Sequence, residues 1–108
     1  GADVLFATRS ATLGENALPA LNQLRDFLAS TTGEILITGH TDATGSDAEN
    51  DVLSLARAEA TKAWLARNGI DASRMTTEGR GSADPAVADA TTAEEMQMNR
   101  RVVATVTR

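Results

Sequence analysis

Residues 34–38, Glu-Ile-Leu-Ile-Thr, leave the least choice of structure in this chain, because the run is β-branched, of strand length, and apolar enough to be buried on both faces. It predicts an inner strand. Gly39-His40-Thr41-Asp42 follows at its carboxyl end, which puts a polar cluster at the mouth of that strand. Upstream, Leu18, Leu21, Leu24, Phe27 and Leu28 recur at helical spacing between Glu15 and Ala29, with Gly33 just beyond as a stop. Downstream, Val52, Leu53, Ala56, Ala60, Ala63 and Trp64 form an apolar stripe within Asp51 to Asn68, closed by Asn68-Gly69, and predict a second helix that Ser54 could restart as an internal N-cap. Val4-Leu5-Phe6 reads as a first strand, Ser73 to Glu78 as a weak one, Pro85 to Glu94 as loop and Arg101 to Thr107 as the last strand. Strands alternating with two long helices predict an α/β two-layer sandwich, a mixed β-sheet with both helices packed on one face.

A chain of 108 residues has room for one core, so residues 1–108 are expected to form a single domain. Its net charge of -5 argues against nucleic acid or an anionic membrane surface as partner, since both require a cationic face. With no cysteine, neither a disulfide framework nor a thiolate metal site is available. No run approaches the ~18 apolar residues of a membrane-spanning helix, and the first residues lack the basic and apolar regions of a signal peptide. The expectation is a cytosolic chain or a fragment of something longer.

The richest constellation is Gly39-His40-Thr41-Asp42-Ala43-Thr44-Gly45-Ser46, continued by Asn50, Leu53-Ser54 and Arg57-Ala58. This spacing resembles the signature of the OmpA-like C-terminal domain family. Phe6, Ser10 and Leu13 are similar to the family's opening segment, Gly79, Gly81 and Pro85 to its Gly-x-Gly-x-x-x-Pro loop, and Asn99-Arg100-Arg101-Val102 to its closing Asn-Arg-Arg-Val. The resemblance implies a non-catalytic domain that anchors an envelope protein in the periplasm, attached to the outer membrane, by binding the diaminopimelate of the peptidoglycan stem peptide without a cofactor. The family's ligand-binding pair falls on Asp42 and Arg57. Two departures stand out: Ala7-Thr8-Arg9 carries no aspartate after the first strand, and Asp89 to Met96 replaces the family's Asn-x-Thr and Gly-Arg pattern.

The implied chemistry is sound, because diaminopimelate ends in both an ammonium and a carboxylate. Asp42 can accept from the first, and the planar fork of Arg57 can hold the second bidentately. The residues alone leave open a structural ion pair between Asp42 and Arg57. Thr44 and Ser46 read as ligand donors or as turn caps, and Gly45 as a turn that lets backbone amides approach the ligand. His40, Asn50, Asn99 and Arg100 are expected to support the site from behind, while Trp64 reads as core.

Two other function classes compete with wall binding. A cell-wall hydrolase with His40 as base lacks an activated nucleophile, a supported carboxylate pair and a complete metal set. A family member that has lost wall binding and serves as a protein-interaction domain is motivated by the altered 89–96 segment. Asp42, Asp47, Glu49 and Asp51 lack the order of a calcium loop and read as a solvated acidic loop and helix start, so no metal site is expected.

Overall fold

In this computed structural model, which describes residues 4–107, four strands and three helices alternate along the chain. The strands are β1 (Val4–Leu5), β2 (Glu34–Gly39), β3 (Met75–Gly79) and β4 (Arg101–Thr107). The helices are α1 (Leu18–Ala29), α2 (Asp47–Arg67) and α3 (Ala93–Asn99). They form a mixed sheet in the order β1-β4-β2-β3, in which β2 and β3 run parallel with α2 as their crossover, and β4 is antiparallel to both β2 and β1. The mixed sheet with helices packed on it is as expected.

Strand alternation decides what reaches the core. Ile35, Ile37 and Gly39 of β2 pair with Val106, Ala104 and Val102 of β4 and face the helices, where they meet Leu21, Leu24 and Leu28 of α1 and Ala58 and Leu65 of α2. Each buried leucine or isoleucine contributes about 1.5–3 kcal/mol. Leu36, between the two isoleucines, is only half-buried beside exposed Thr105, so the expectation that this strand is buried on both faces does not hold there. The helix layer covers one face of the sheet.

Both long helices differ from the sequence reading in instructive ways. The first begins with a 3-10 turn at Glu15–Ala17 and has proline in its first turn; its buried line is Leu21, Leu24 and Leu28, leaving Leu18 and Phe27 exposed. The second starts four residues earlier than expected, because Ser46 and Glu49 form a reciprocal capping box. Ser54 is no internal cap: its hydroxyl donates to Asp51 O and accepts from Gly81 N. The apolar stripe is not the buried face either. Val52 is 73% exposed, and the buried line is Asn50, Ser54, Arg57, Ala58, Thr61 and Leu65.

The reason is a close approach. Gly39 and Gly79 are register partners on β2 and β3, and a Cβ on Gly39 would sit 1.8 Å from Ser54 O, while one on Gly79 would sit 2.6 Å from Leu55 N. Only glycine lets the helix rest directly on these strand ends. With so little space, small and hydrogen-bonded side chains fill the contact, and bulkier Val52 and Leu55 turn outward. Trp64 alone of the expected stripe packs against the core.

The third helix was not foreseen in the secondary-structure reading, which placed its first residues in loop. Thr92 and Glu95 form a second capping box, and this Thr-x-x-Glu spacing was the available signal. Among the described residues, no helix is long and apolar enough to cross a membrane.

Candidate functional site

The ends of β2 and β3, the first turn of α2 and the start of β4 converge on one corner. Main-chain bonds stitch them together: His40 N donates to Arg101 O, Thr41 N to Gly81 O, and Arg80 N to Gly39 O. These bonds fix the path of residues 39–42 and turn Asp42 toward a cavity of about 320 Å³, whose lining includes Thr41, Asp42, Thr44, Ser82, Pro85 and Asn99. Asn99 builds the opposite wall, since its side chain donates to Val87 O and accepts from Val87 N, clamping the loop before α3 to the end of that helix.

Asp42 is 4% exposed and ionised. Burial, the largest single influence, raises its pKa, but the Thr44 N–H on Oδ1 and the Arg100 guanidinium on Oδ2, each at 2.9 Å, together hold it below the usual carboxylate range. The ion-pair partner is therefore Arg100, which also donates through Nε to Phe6 O. The sequence reading had Arg100 behind the site; the structure puts it on the carboxylate itself.

Arg57 lies deeper. It has no exposed surface, and three of its nitrogens donate to main-chain carbonyls: Nε to Ser10 O at 2.8 Å, Nη1 to His40 O at 2.9 Å and Nη2 to Ala7 O at 3.1 Å. Its guanidinium also stands 5.3 Å from the centre of the Phe6 ring. Desolvation, with repulsion from Arg100 and Arg9 only partly offset by Asp42, pulls its pKa down to about 10, so it remains charged at neutral pH. Arg57 and Asp42 thus share one electrostatic neighbourhood without forming the ion pair considered from sequence.

The remaining expected residues divide by role. Thr44 lines the cavity and grips Asp42; Ser46 is committed to capping α2; Gly45 has φ of 88° and lies under the Arg9 guanidinium. The main chain of buried His40 donates from N to Arg101 O and accepts at O from Arg57. Asn50 is 1% exposed and accepts from Arg9. Two contributors were missed. Thr41 lines the cavity with a buried Oγ1 that has no hydrogen-bond partner among the described residues, and Arg9 reaches from 35 residues upstream to Thr44 O. No local spacing signals the second, because the contact is made by a loop folding across the domain.

The comparisons with known proteins agree with this architecture. The chain matches the OmpA family over residues 5–100. It is 37% identical to outer membrane porin F of Pseudomonas fluorescens over 105 residues, covering 96% of this chain but 32% of that protein, so it corresponds to about a third of that relative's length. Among solved structures, it resembles the cell wall anchor of the T6SS from Pseudomonas aeruginosa, with a TM-score of 0.78 and 37% identity over 94% of this chain and 73% of that one. It also resembles the peptidoglycan-associated lipoprotein of Burkholderia pseudomallei, with a TM-score of 0.83 and 29% identity over 95% and 89% of the two chains.

Proposed function

The chain belongs to the OmpA family, and we propose that it is a periplasmic module that holds peptidoglycan through the diaminopimelate of the stem peptide, tying a larger envelope protein to the wall. OmpA-like domains are structural anchors and peptidoglycan-binding modules, not enzymes. The observation that carries the finer reading is Asp42: a buried carboxylate, held ionised at the edge of a cavity whose other walls include Pro85, Val87 and Met96, with Arg100 against it and Arg57 behind. Such a site presents a carboxylate to an ammonium and a guanidinium to a carboxylate, and diaminopimelate carries both groups.

Asp42 accepts from the ligand ammonium, Arg100 beside it meets the ligand carboxylate, and fully buried Arg57 adds its charge from behind while holding residues 7–10 and His40 in place. Thr44 and Thr41 add polar groups to the lining, while Gly45 and Ser46 set the lip by fixing the start of α2. Two sheltered charge-assisted contacts at about 1.5–3 kcal/mol each, less the cost of association, give affinity on the order of micromolar to millimolar. A polymer with repeated sites turns that into firm retention. Co-sedimentation tests the assignment: the domain is expected to pellet with diaminopimelate-type wall and less with lysine-type wall, whose side-chain end has no second carboxylate. Equal retention on both would refute it.

A further inference from the structure

Arg9 is built into this corner in an unusual way. Its backbone is left-handed, with φ of 55°, a conformation uncommon for a residue with a side chain. Its guanidinium lies over Gly45, where a Cβ would come within 3.2 Å of Nη1 and 3.5 Å of Nη2. Nη1 alone holds it there, donating to Thr44 O at 2.9 Å and to Asn50 Oδ1 at 2.8 Å. Among the described residues, Nε and Nη2 make no hydrogen bond. Those two nitrogens form the side of the guanidinium whose parallel N–H groups match a carboxylate.

Charge points the same way. Arg57 feels the repulsion of both Arg9 and Arg100, Asp42 attracts Arg57 and Arg100, and Glu49 attracts Arg9. Among these five groups the cations outnumber the anions by one, in a chain of net charge -5. A zwitterionic side-chain end is neutral and leaves that excess in place; a ligand with one more carboxylate removes it. In a γ-linked stem peptide, the residue next to diaminopimelate carries such a group, the α-carboxylate of D-glutamate.

We propose that Arg9 is a specificity-determining residue: its Nε and Nη2 receive the D-glutamate α-carboxylate, so the site prefers stem peptides with that group free over those in which it is amidated. The inference rests on the diaminopimelate reading above and adds a second recognition point to it. Because the free fork is exposed, the preference is modest, about fivefold at low salt, and it fades as salt screens it.

The test is a titration of the purified domain with synthetic L-alanyl-γ-D-glutamyl-diaminopimelate and with the same peptide amidated at the glutamate α-carboxyl. Wild type is expected to bind the free acid about fivefold more tightly. Arg9→Gln is expected to bring the two affinities together by weakening the free acid alone, and Arg9→Lys, which keeps the charge but not the fork, to restore part of the difference. Equal affinities in wild type overturn the role of Arg9 while leaving the diaminopimelate reading standing. Equal weakening of both peptides by Arg9→Gln also overturns it, because that is the signature of a strut for the Thr44 loop. Failure of wild type to bind either peptide removes the reading on which the inference rests, and the inference with it.

Discussion

Replacing Arg57 by alanine should destabilise the domain as strongly as a core truncation. The side chain makes three hydrogen bonds from a charged donor to carbonyls on two separate segments, residues 7–10 and His40, and each such bond contributes about 1.5–3 kcal/mol. Part of that is offset, because burial and the repulsion of Arg100 and Arg9 make the charge costly, as its pKa of about 10 records. Removing one member of a buried charged network leaves a net loss of about 3–5 kcal/mol. For a domain of about 100 residues, this lowers the melting temperature by roughly 15–30 °C. Urea unfolding at 15 °C, monitored by Trp64 fluorescence, measures the change. Arg57→Lys should fall between, since an ammonium cannot reach three diverging carbonyls in one plane. Wall retention of the folded Arg57→Ala fraction should also drop, because the freed 7–10 loop no longer holds Arg9 against Thr44. A loss below about 1 kcal/mol would refute the idea that Arg57 ties these segments together.

Other perturbations probe separate parts of the account. Asp42→Asn should cut wall binding at least tenfold, leaving Arg100 without its carboxylate, as pull-down at constant salt would show. Because the folded pKa of Asp42 is depressed, its contribution is complete above the unfolded value and lost as pH falls through the folded one. The stability difference between wild type and Asp42→Asn should therefore be constant from pH 5 to 7 and shrink below about pH 4; a difference that shrinks already at pH 6 contradicts this. Gly39→Ala, whose Cβ would collide with Ser54 O, should cost about 3 kcal/mol or more, whereas Gly14→Ala, with open space around it, should be neutral in the same thermal melt. Asn99→Ala should cost about 1–3 kcal/mol and weaken wall retention by releasing Val87 from the cavity wall; unchanged retention would show that this wall does not matter.

What the sequence reveals here follows from which contacts are local. The β-branched run of β2, the last strand, and the existence of both long helices are visible because apolar periodicity and turn residues report them directly. The buried face of α2 is equally periodic, Asn50, Ser54, Arg57, Ala58, Thr61 and Leu65, but it is written in small and polar residues, and a hydrophobic template selects Val52 and Ala56 instead. The glycines that force this sit on two strands brought together only by the parallel pairing of β2 and β3. At the site, motif spacing singles out Asp42, Thr44, Arg57 and Arg100 but not who pairs with whom. Asp42 meets Arg100, 58 residues away, and Arg9 meets Thr44 and Asn50, because the first and last strands lie side by side in the sheet.

The central claim is that diaminopimelate enters the cavity beside Asp42. An amide chemical-shift titration of the isotopically labelled domain with a diaminopimelate-containing stem tripeptide tests it residue by residue. Saturable shifts are expected at Thr41, Asp42, Thr44 and Asn99, together with the Nε resonance of Arg100, and they should vanish in Asp42→Asn. Saturable shifts confined to the uncovered sheet face around Leu36 and Thr105, or the same shifts persisting in Asp42→Asn, would contradict it.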